Sequence, residues 1–290
     1  MKLHLNLFLL ILTIIFITGC DKDPTGPRGS GFIYPLKVGN QWEYDRTFST
    51  FNFRPDTLNN PDTLNINQII DTTITFSVII KIIEKAPTPD SINIFLFQGK
   101  LKENNITLFY NSNYANLDSG LYFYAYHSSG FVMPKASPNN KILFKGRYFN
   151  NIREITSYIA NAVPKNYILI DSSIYENPPL QSLKYPLKIG SQWTYIDSGN
   201  TGHIDKKILN YETVKVPAGS FNCFKIQWLF DINQDSVWDD DIIFYDYISE
   251  KGLIKRSILV KDIIFSGELN PEPLGLIDAK DESILTKLTL

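Results

Sequence analysis

The chain is poor in the residues that staple or catalyse. Its 290 residues hold 2 cysteines and 3 histidines. Two thiols cannot build a disulfide framework, and they cannot supply a Cys-based structural zinc site. An excess of charge is lacking too: 28 Lys and Arg face 30 Asp and Glu, a net of −2. A nucleic-acid partner calls for clustered basic charge, so none is expected. Outside the N-terminus no segment approaches the ~18 apolar residues of a membrane-spanning helix. No His-Glu-x-x-His, no Gly-x-Ser-x-Gly and no glycine-rich phosphate loop after a strand occurs. What is plentiful is aromatic: 16 Tyr and 19 Phe, enough to exclude wholesale disorder. The length predicts about two domains.

Met1-Lys2 gives the N-terminus a short positive start, and Leu7 to Ile17 is almost wholly apolar. That run is shorter than the ~20 residues of a span and has the size of a signal-peptide core. It ends in Ile17-Thr18-Gly19-Cys20, which resembles the bacterial lipobox. The resemblance implies that residues 1–19 are a lipoprotein signal peptide and that the Cys20 sulfur carries diacylglycerol. One acyl chain holds a protein marginally and two or three hold it stably. The membrane is therefore an expected partner through Cys20, and the bacterial cell envelope the expected location, on the periplasmic face or the cell surface. Asp21 does not decide between inner and outer membrane. An ordinary signal peptide with an incidental cysteine is the alternative. Residues 20–31 are polar, with Gly and Pro, and read as a flexible tether.

One segment occurs twice. Tyr34-Pro-Leu-Lys-Val-Gly-Asn-Gln-Trp-Glu-Tyr44 returns as Tyr185-Pro-Leu-Lys-Ile-Gly-Ser-Gln-Trp-Thr-Tyr195, with eight of eleven positions identical. A period this long means tandem domains rather than a solenoid. Pro and Gly shape a turn, and a strand follows. Trp42 and Tyr44, like Trp193 and Tyr195, lie two apart and so on one strand face, where they are expected to anchor each core. An aromatic ligand platform is the functional alternative.

Most of the remainder reads as strand. Ile74, Phe76, Val78, Ile80 and Ile82 share one face, as do Phe224, Ile226, Trp228 and Phe230. Ile242 to Ser249 and Leu253 to Val260 are β-rich runs around a Ser-Glu-Lys-Gly turn, and Val216-Pro217-Ala218-Gly219 marks another turn. Ile152, Ile155 and Ile159 could line one short helix. The expected class is mainly β, with two tandem antiparallel β-sheet domains, each a curved half-barrel or sandwich, and little helix. Asn177-Pro178-Pro179 suggests the boundary, giving domain one at 32–178 and domain two at 184–290.

Three pieces of domain two, in order, resemble a secreted β-rich bacterial family called TapB-like. They are Pro186-Leu187 … Gly190 … Trp193 … Tyr195; Tyr211-Glu212 … Pro217-Ala-Gly219-Ser-Phe221; and Tyr245-Asp-Tyr247 … Gly252 … Lys255. Domain one keeps only the first piece clearly. The resemblance implies an antiparallel sheet, curved like that of the lipoprotein-localisation carriers, and no catalytic residue.

Candidate chemistry is thin. With His4 in the signal, His127 reads as a strand-end residue and His203 as a solvated hairpin-tip residue. Cys223 alternates with Phe224 and so faces away from the Phe224/Trp228 stripe, as a small, partly buried residue. The sharpest candidate is acidic: Asp231, Asn233, Asp235 and Asp239 stand at relative positions 1, 3, 5 and 9, as in the start of an EF-type calcium loop. Ser236 stands where that loop needs Gly, and Ile242 where it needs the closing Glu; an acidic hairpin loop is the plain alternative. The leading expectation is a non-catalytic envelope module binding a protein, a glycan or another envelope component. A carrier of an apolar ligand in a curved sheet is the alternative, and a hydrolase with an unrecognised site the third.

Overall fold

In the computed structural model, the described residues are 31–56, 72–88, 91–103, 106–128, 142–161, 174–197, 202–266 and 273–290. The signal segment, Cys20 and the tether up to Ser30 lie outside them. Fourteen strands and one α-helix make up the regular structure among the described residues. The mainly-β, antiparallel expectation holds.

The first half contributes β1 (Gln41–Pro55), β2 (Thr73–Pro87), β3 (Asn93–Glu103), β4 (Ile106–Leu117), β5 (Gly120–Ser128) and β8 (Ile174–Lys184). The second contributes β9 (Gln192–Ile196), β10 (His203–Val216), β11 (Gly219–Asp231), β12 (Ile242–Ser249), β13 (Gly252–Ser266) and β14 (Pro273–Thr289). Each half is a meander of neighbouring antiparallel strands that opens on one copy of the repeat. The strand order is β8-β5-β4-β3-β2-β1-β14-β13-β12-β11-β10-β9. Thus the two halves do not form separate sheets. β1 pairs with β14 from Gln41↔Thr289 to Pro55↔Gly275, joining residues 32–178 to residues 184–290 in one sheet. The reason is physical. β1 and β14 would otherwise be long sheet edges with unpaired backbone groups and apolar inner faces, and their pairing covers both. The suggested boundary at Asn177–Pro179 falls inside β8.

The free edges, β8 and β9, meet through side chains. Trp193 Nε1 donates to Gln181 O (2.8 Å), and Lys206 Nζ to Ser182 O (3.2 Å). The sheet is thereby nearly closed into a barrel. Strand alternation places Trp42, Tyr44 and Phe48 inside with Phe76, Val78, Phe97, Trp228, Phe244, Ile258 and Leu285, all buried in one cluster drawn from both halves. Ile74, the outermost residue of the predicted stripe, is 39% exposed near the start of β2.

A hairpin of β6 (Ile142–Phe144) and β7 (Arg147–Phe149) adds to the end of β13 through Leu143↔Ile264. The expected helix follows as α1 (Ile152–Asn161). Asn151 Oδ1 accepts from the Glu154 amide (3.0 Å), and Glu154 reaches back to the Asn150 amide (2.9 Å). These bonds satisfy donors that a helix start leaves open. Ile155 and Ile159 are fully buried in the shared core.

Candidate functional site

The two repeat copies make the same backbone device. Gly39 N donates to Ile82 O, and Gly190 N to Ile208 O, both at 2.8 Å. Ile82 N returns a bond to Asn40 O, and Ile208 N to Ser191 O, both at 2.9 Å. Gly39 (φ 98°) and Gly190 (φ 85°) occupy the left-handed region that favours glycine. The turns therefore pin the starts of β1 and β9 against β2 and β10. Their first residues also meet: Tyr185 Oη accepts from the Tyr34 amide (2.9 Å) and donates to Asn116 Oδ1 (2.8 Å), while Asn116 Nδ2 donates to Tyr34 O (2.8 Å). Burial pushes the Tyr185 phenol up to about 12. Trp42 Nε1 donates to Lys251 O and Tyr44 Oη to Leu253 O, both reaching over β14 to the start of β13. Trp193 is buried at the seam, and Tyr195 packs edge-on against Trp228. Pro217-Ala218 forms the tip of the β10–β11 hairpin, with Val216 opposite Gly219.

The calcium-loop candidates are engaged in other ways. Asp231 Oδ1 and Oδ2 accept from the amides of Asp235 and Ser236 (3.0 and 2.9 Å). Asp235 Oδ1 accepts from the Val237 amide, and Oδ2 from Asn233 Nδ2. Asp239 Oδ2 accepts from the Ile232 amide, and its Oδ1 meets Lys145 Nζ (2.8 Å), which also bridges Asp241. Four carboxylates thus cap loop amides and an ammonium instead of converging on a cation. Among the described residues no three His, Cys, Asp or Glu side chains gather as a metal site would.

His203 opens β10 rather than a loop tip. Its Nε2 lies 2.9 Å from Asp205 Oδ1 and its Nδ1 3.3 Å from Asp197 Oδ1, with Trp238 against the ring. His127 is the penultimate residue of β5. Cys223 is completely buried, more so than alternation suggests. Val214, Val216, Ala218 and Phe221 of the β10–β11 tip pack against the same core, where Ala218 N donates to Leu285 O. Burial pushes its thiol up to about 12.

What the sequence reading missed is a charged set inside the barrel. Arg46 donates through Nε and Nη2 to Asp281, which also accepts from Thr156 of α1 (3.1 Å). Arg256 makes the same two-pronged contact with Asp246, which accepts from Trp228 Nε1 (2.9 Å). Burial works against the Arg256 charge, and Asp246 more than restores it. Lys206 is 4% exposed, and no carboxylate bridges it among the described residues; its Nζ lies 3.7 and 3.6 Å from the ring centres of Tyr195 and Trp228. Burial pulls its pKa well below the ordinary lysine value. A signal was available. Each of these residues stands two positions from a core residue on its own strand, as Arg46 does between Tyr44 and Phe48.

Outside the core, a hollow of about 300 Å³ opens on β2–β5. Glu84, Ile94, Leu96, Asn111 and Asn113 line it.

No protein-family model and no curated protein matches the chain. Two solved structures are similar to it. One is a candidate exported protein with a YmcC-like fold from Bacteroides fragilis, at 13% identity and a TM-score of 0.39, covering 89% of this chain and 99% of that one. The other is a candidate lipoprotein from Parabacteroides distasonis, at 10% identity and a TM-score of 0.30, covering 89% and 98%.

Proposed function

We propose that the chain is a lipid-anchored protein of the bacterial cell envelope that acts as a non-catalytic binding or structural module. The observation that carries this reading is Ile17-Thr-Gly-Cys20 placed directly after an apolar run of signal-peptide size. The non-catalytic part draws on the side chains themselves. Cys223 is buried with a raised pKa, and His203 lies between two aspartates. A thiol nucleophile needs an activating base within reach; the Cys223 thiol meets a backbone carbonyl, that of Phe221, and the His203 ring meets Asp197, Asp205 and Trp238. The TapB-like resemblance of 185–255 agrees with a module of this kind.

The apolar-carrier reading fits less well. The stacked Trp228 and Phe244 rings (4.4 Å), Phe230 and the helix side chains Ile155 and Ile159 fill the barrel's interior. A hydrolase would need a cleft with carboxylates held apart in pKa, and the paired aspartates already have structural partners.

Metabolic labelling with an alkyne fatty acid tests the anchor. Label should enter the membrane-fraction protein and vanish in Cys20→Ala. A wild-type protein that stays unlabelled would overturn the reading.

A further inference from the structure

The hollow on β2–β5 is shaped by the strands themselves. Glu84, Leu96, Asn113 and Ala125 are cross-strand partners on one rung that runs over four strands. Leu96 stands between Phe95 and Phe97, and Asn113 beside Tyr114, and all three aromatic rings pack in the core. Alternation therefore turns Leu96 and Asn113 outward, and their rung partners share that face. The pairing slips at the same level. Ile83 is an extra residue in β2 and Tyr124 in β5, and β5 changes register against β8 between Phe123 and Ala125. Such irregularities bend a strand and re-aim its side chains. Gathered on one rung, they dish an outer face that would otherwise be convex. The dish holds about 300 Å³, the lower end of the roughly 300–1,000 Å³ of small-ligand sites.

Its chemistry is two-sided. Ile94 and Leu96 supply an aliphatic wall, and Ala125, 2% exposed, a floor. Glu84, Asn111 and Asn113 supply the polar wall. Asn111 Oδ1 is buried and accepts no hydrogen bond among the described residues. A buried acceptor in that state is costly, and a ligand's donor relieves it. The terminal amide torsion is broad, so Asn111 can turn this oxygen toward the hollow it lines. A carboxylate only accepts, while an amide accepts and donates. The hollow therefore suits a ligand rich in O–H or N–H donors that also has an apolar face. No Lys or Arg lines it among the described residues, so an anion finds no partner there and is repelled by Glu84. A pyranose sugar has hydroxyls around its edge, C–H groups on its faces and no charge.

We infer that this hollow binds a neutral saccharide unit. Ile94 and Leu96 lie against the sugar's C–H face, and Glu84, Asn111 and Asn113 take its hydroxyls. The inference rests on the binding-module reading proposed above and gives that reading a ligand class. The hollow opens outward from the sheet, so a sugar within a longer glycan can enter it while the rest of the chain stays in solvent.

The test is methyl-detected NMR on the full chain in phosphatidylcholine nanodiscs, with Ile and Leu methyls labelled. Cellobiose, maltose and chitobiose are the probes. At ~10 mM, at least one should shift the Ile94 and Leu96 methyls in a saturable way and leave those of Ile258 and Ile277, in the core, unmoved. Asn111→Ala with Asn113→Ala should weaken that binding at least about tenfold. Glu84→Lys, at an exposed position, should weaken it too and serves if the double variant loses its core methyl pattern. Silence at Ile94 and Leu96 with all three disaccharides would overturn the inference. So would an equal shift with hexanol, which carries the apolar part and a single hydroxyl, or binding unchanged in the variants. Cleavage of a bound disaccharide in the same spectra would keep the site and overturn the non-catalytic reading. An unmodified Cys20 would sink the anchor alone and leave the titration as it stands.

Discussion

The two copies of the repeat share a backbone and differ in what their aromatic side chains do. Both turns make the same pair of bonds to a neighbouring isoleucine, Ile82 or Ile208. Trp42 then reaches over β14 to Lys251 O and stacks on Phe97 of β3 (6.1 Å), while Trp193 stays at the seam and bonds Gln181 O. Tyr44 bonds Leu253 O of β13; Tyr195 lies under the Lys206 ammonium. The lesson is that Gly and Pro positions dictate the local turn, whereas the position of each half in the closed sheet dictates what its indole and phenol reach. Copy one ties β1 to β13 over β14 and copy two bridges the gap between edges.

This contrast can be broken by truncation. Trp42→Ala should cost about 3–5 kcal/mol, the range for large aromatics in cores, because it leaves a cavity in the core and an unpaired Lys251 carbonyl. Trp193→Ala should fall at the lower end of that range, since the seam can relax. Denaturant midpoints on both variants check this, and a larger loss at Trp193 would reverse the assignment.

Glycine substitutions sharpen it. A Cβ on Gly252 (φ 103°) would sit 2.7 Å from Trp42 Nε1, whereas one on Gly39 or Gly190 meets nothing within 4 Å. Gly252→Ala should therefore cost about 2–4 kcal/mol, strain and crowding together. Gly39→Ala and Gly190→Ala should each cost about 1–2 kcal/mol, from backbone strain alone. Equal losses at 39 and 190 would support a shared turn; a Gly252→Ala loss no larger than theirs would refute the indole contact.

The smallest effect near neutrality is alkaline. Cys223 and Tyr185 titrate at about 12 when folded, raised by burial. An unfolded thiol titrates near ~8.5 and an unfolded phenol near ~10. Folding therefore favours the protonated forms. Their contribution is complete below the unfolded values and is lost as pH climbs toward 12. Denaturant midpoints should fall from about pH 8.5 upward, and Cys223→Ala should flatten the slope between about pH 8.5 and 10. A slope unchanged by that substitution would show that the thiol is not held neutral by the core.

Much of this was legible in residue alternation. Phe224 to Phe230, Ile242 to Ser249 and the isoleucine spacing at 152, 155 and 159 translate directly into β11, β12 and α1, because burial on one face imposes periods of two and of 3.6 residues. The joining of the two halves was not legible. Arg46 and Asp281 stand 235 residues apart, and nothing local in either strand names the other as its neighbour. The partners of the acidic loop were hidden for a related reason. Its oxygen spacing suits a cation, but loop amides and Lys145, 94 residues before Asp239, claim those oxygens first. The interior charges carry no local mark of their partners, although Arg46, Lys206, Asp246, Arg256 and Asp281 keep the inward register of their strands.

Native-state hydrogen exchange along β1 and β14 tests the single continuous sheet most directly. The amides from Tyr44 to Thr50 and from Ala279 to Leu285 should open only with the rungs of β11 and β12, in one global transition. Exchange of the β1–β14 rungs in a separate, earlier opening, while residues 203–260 stay protected, would mean two independent units and contradict it.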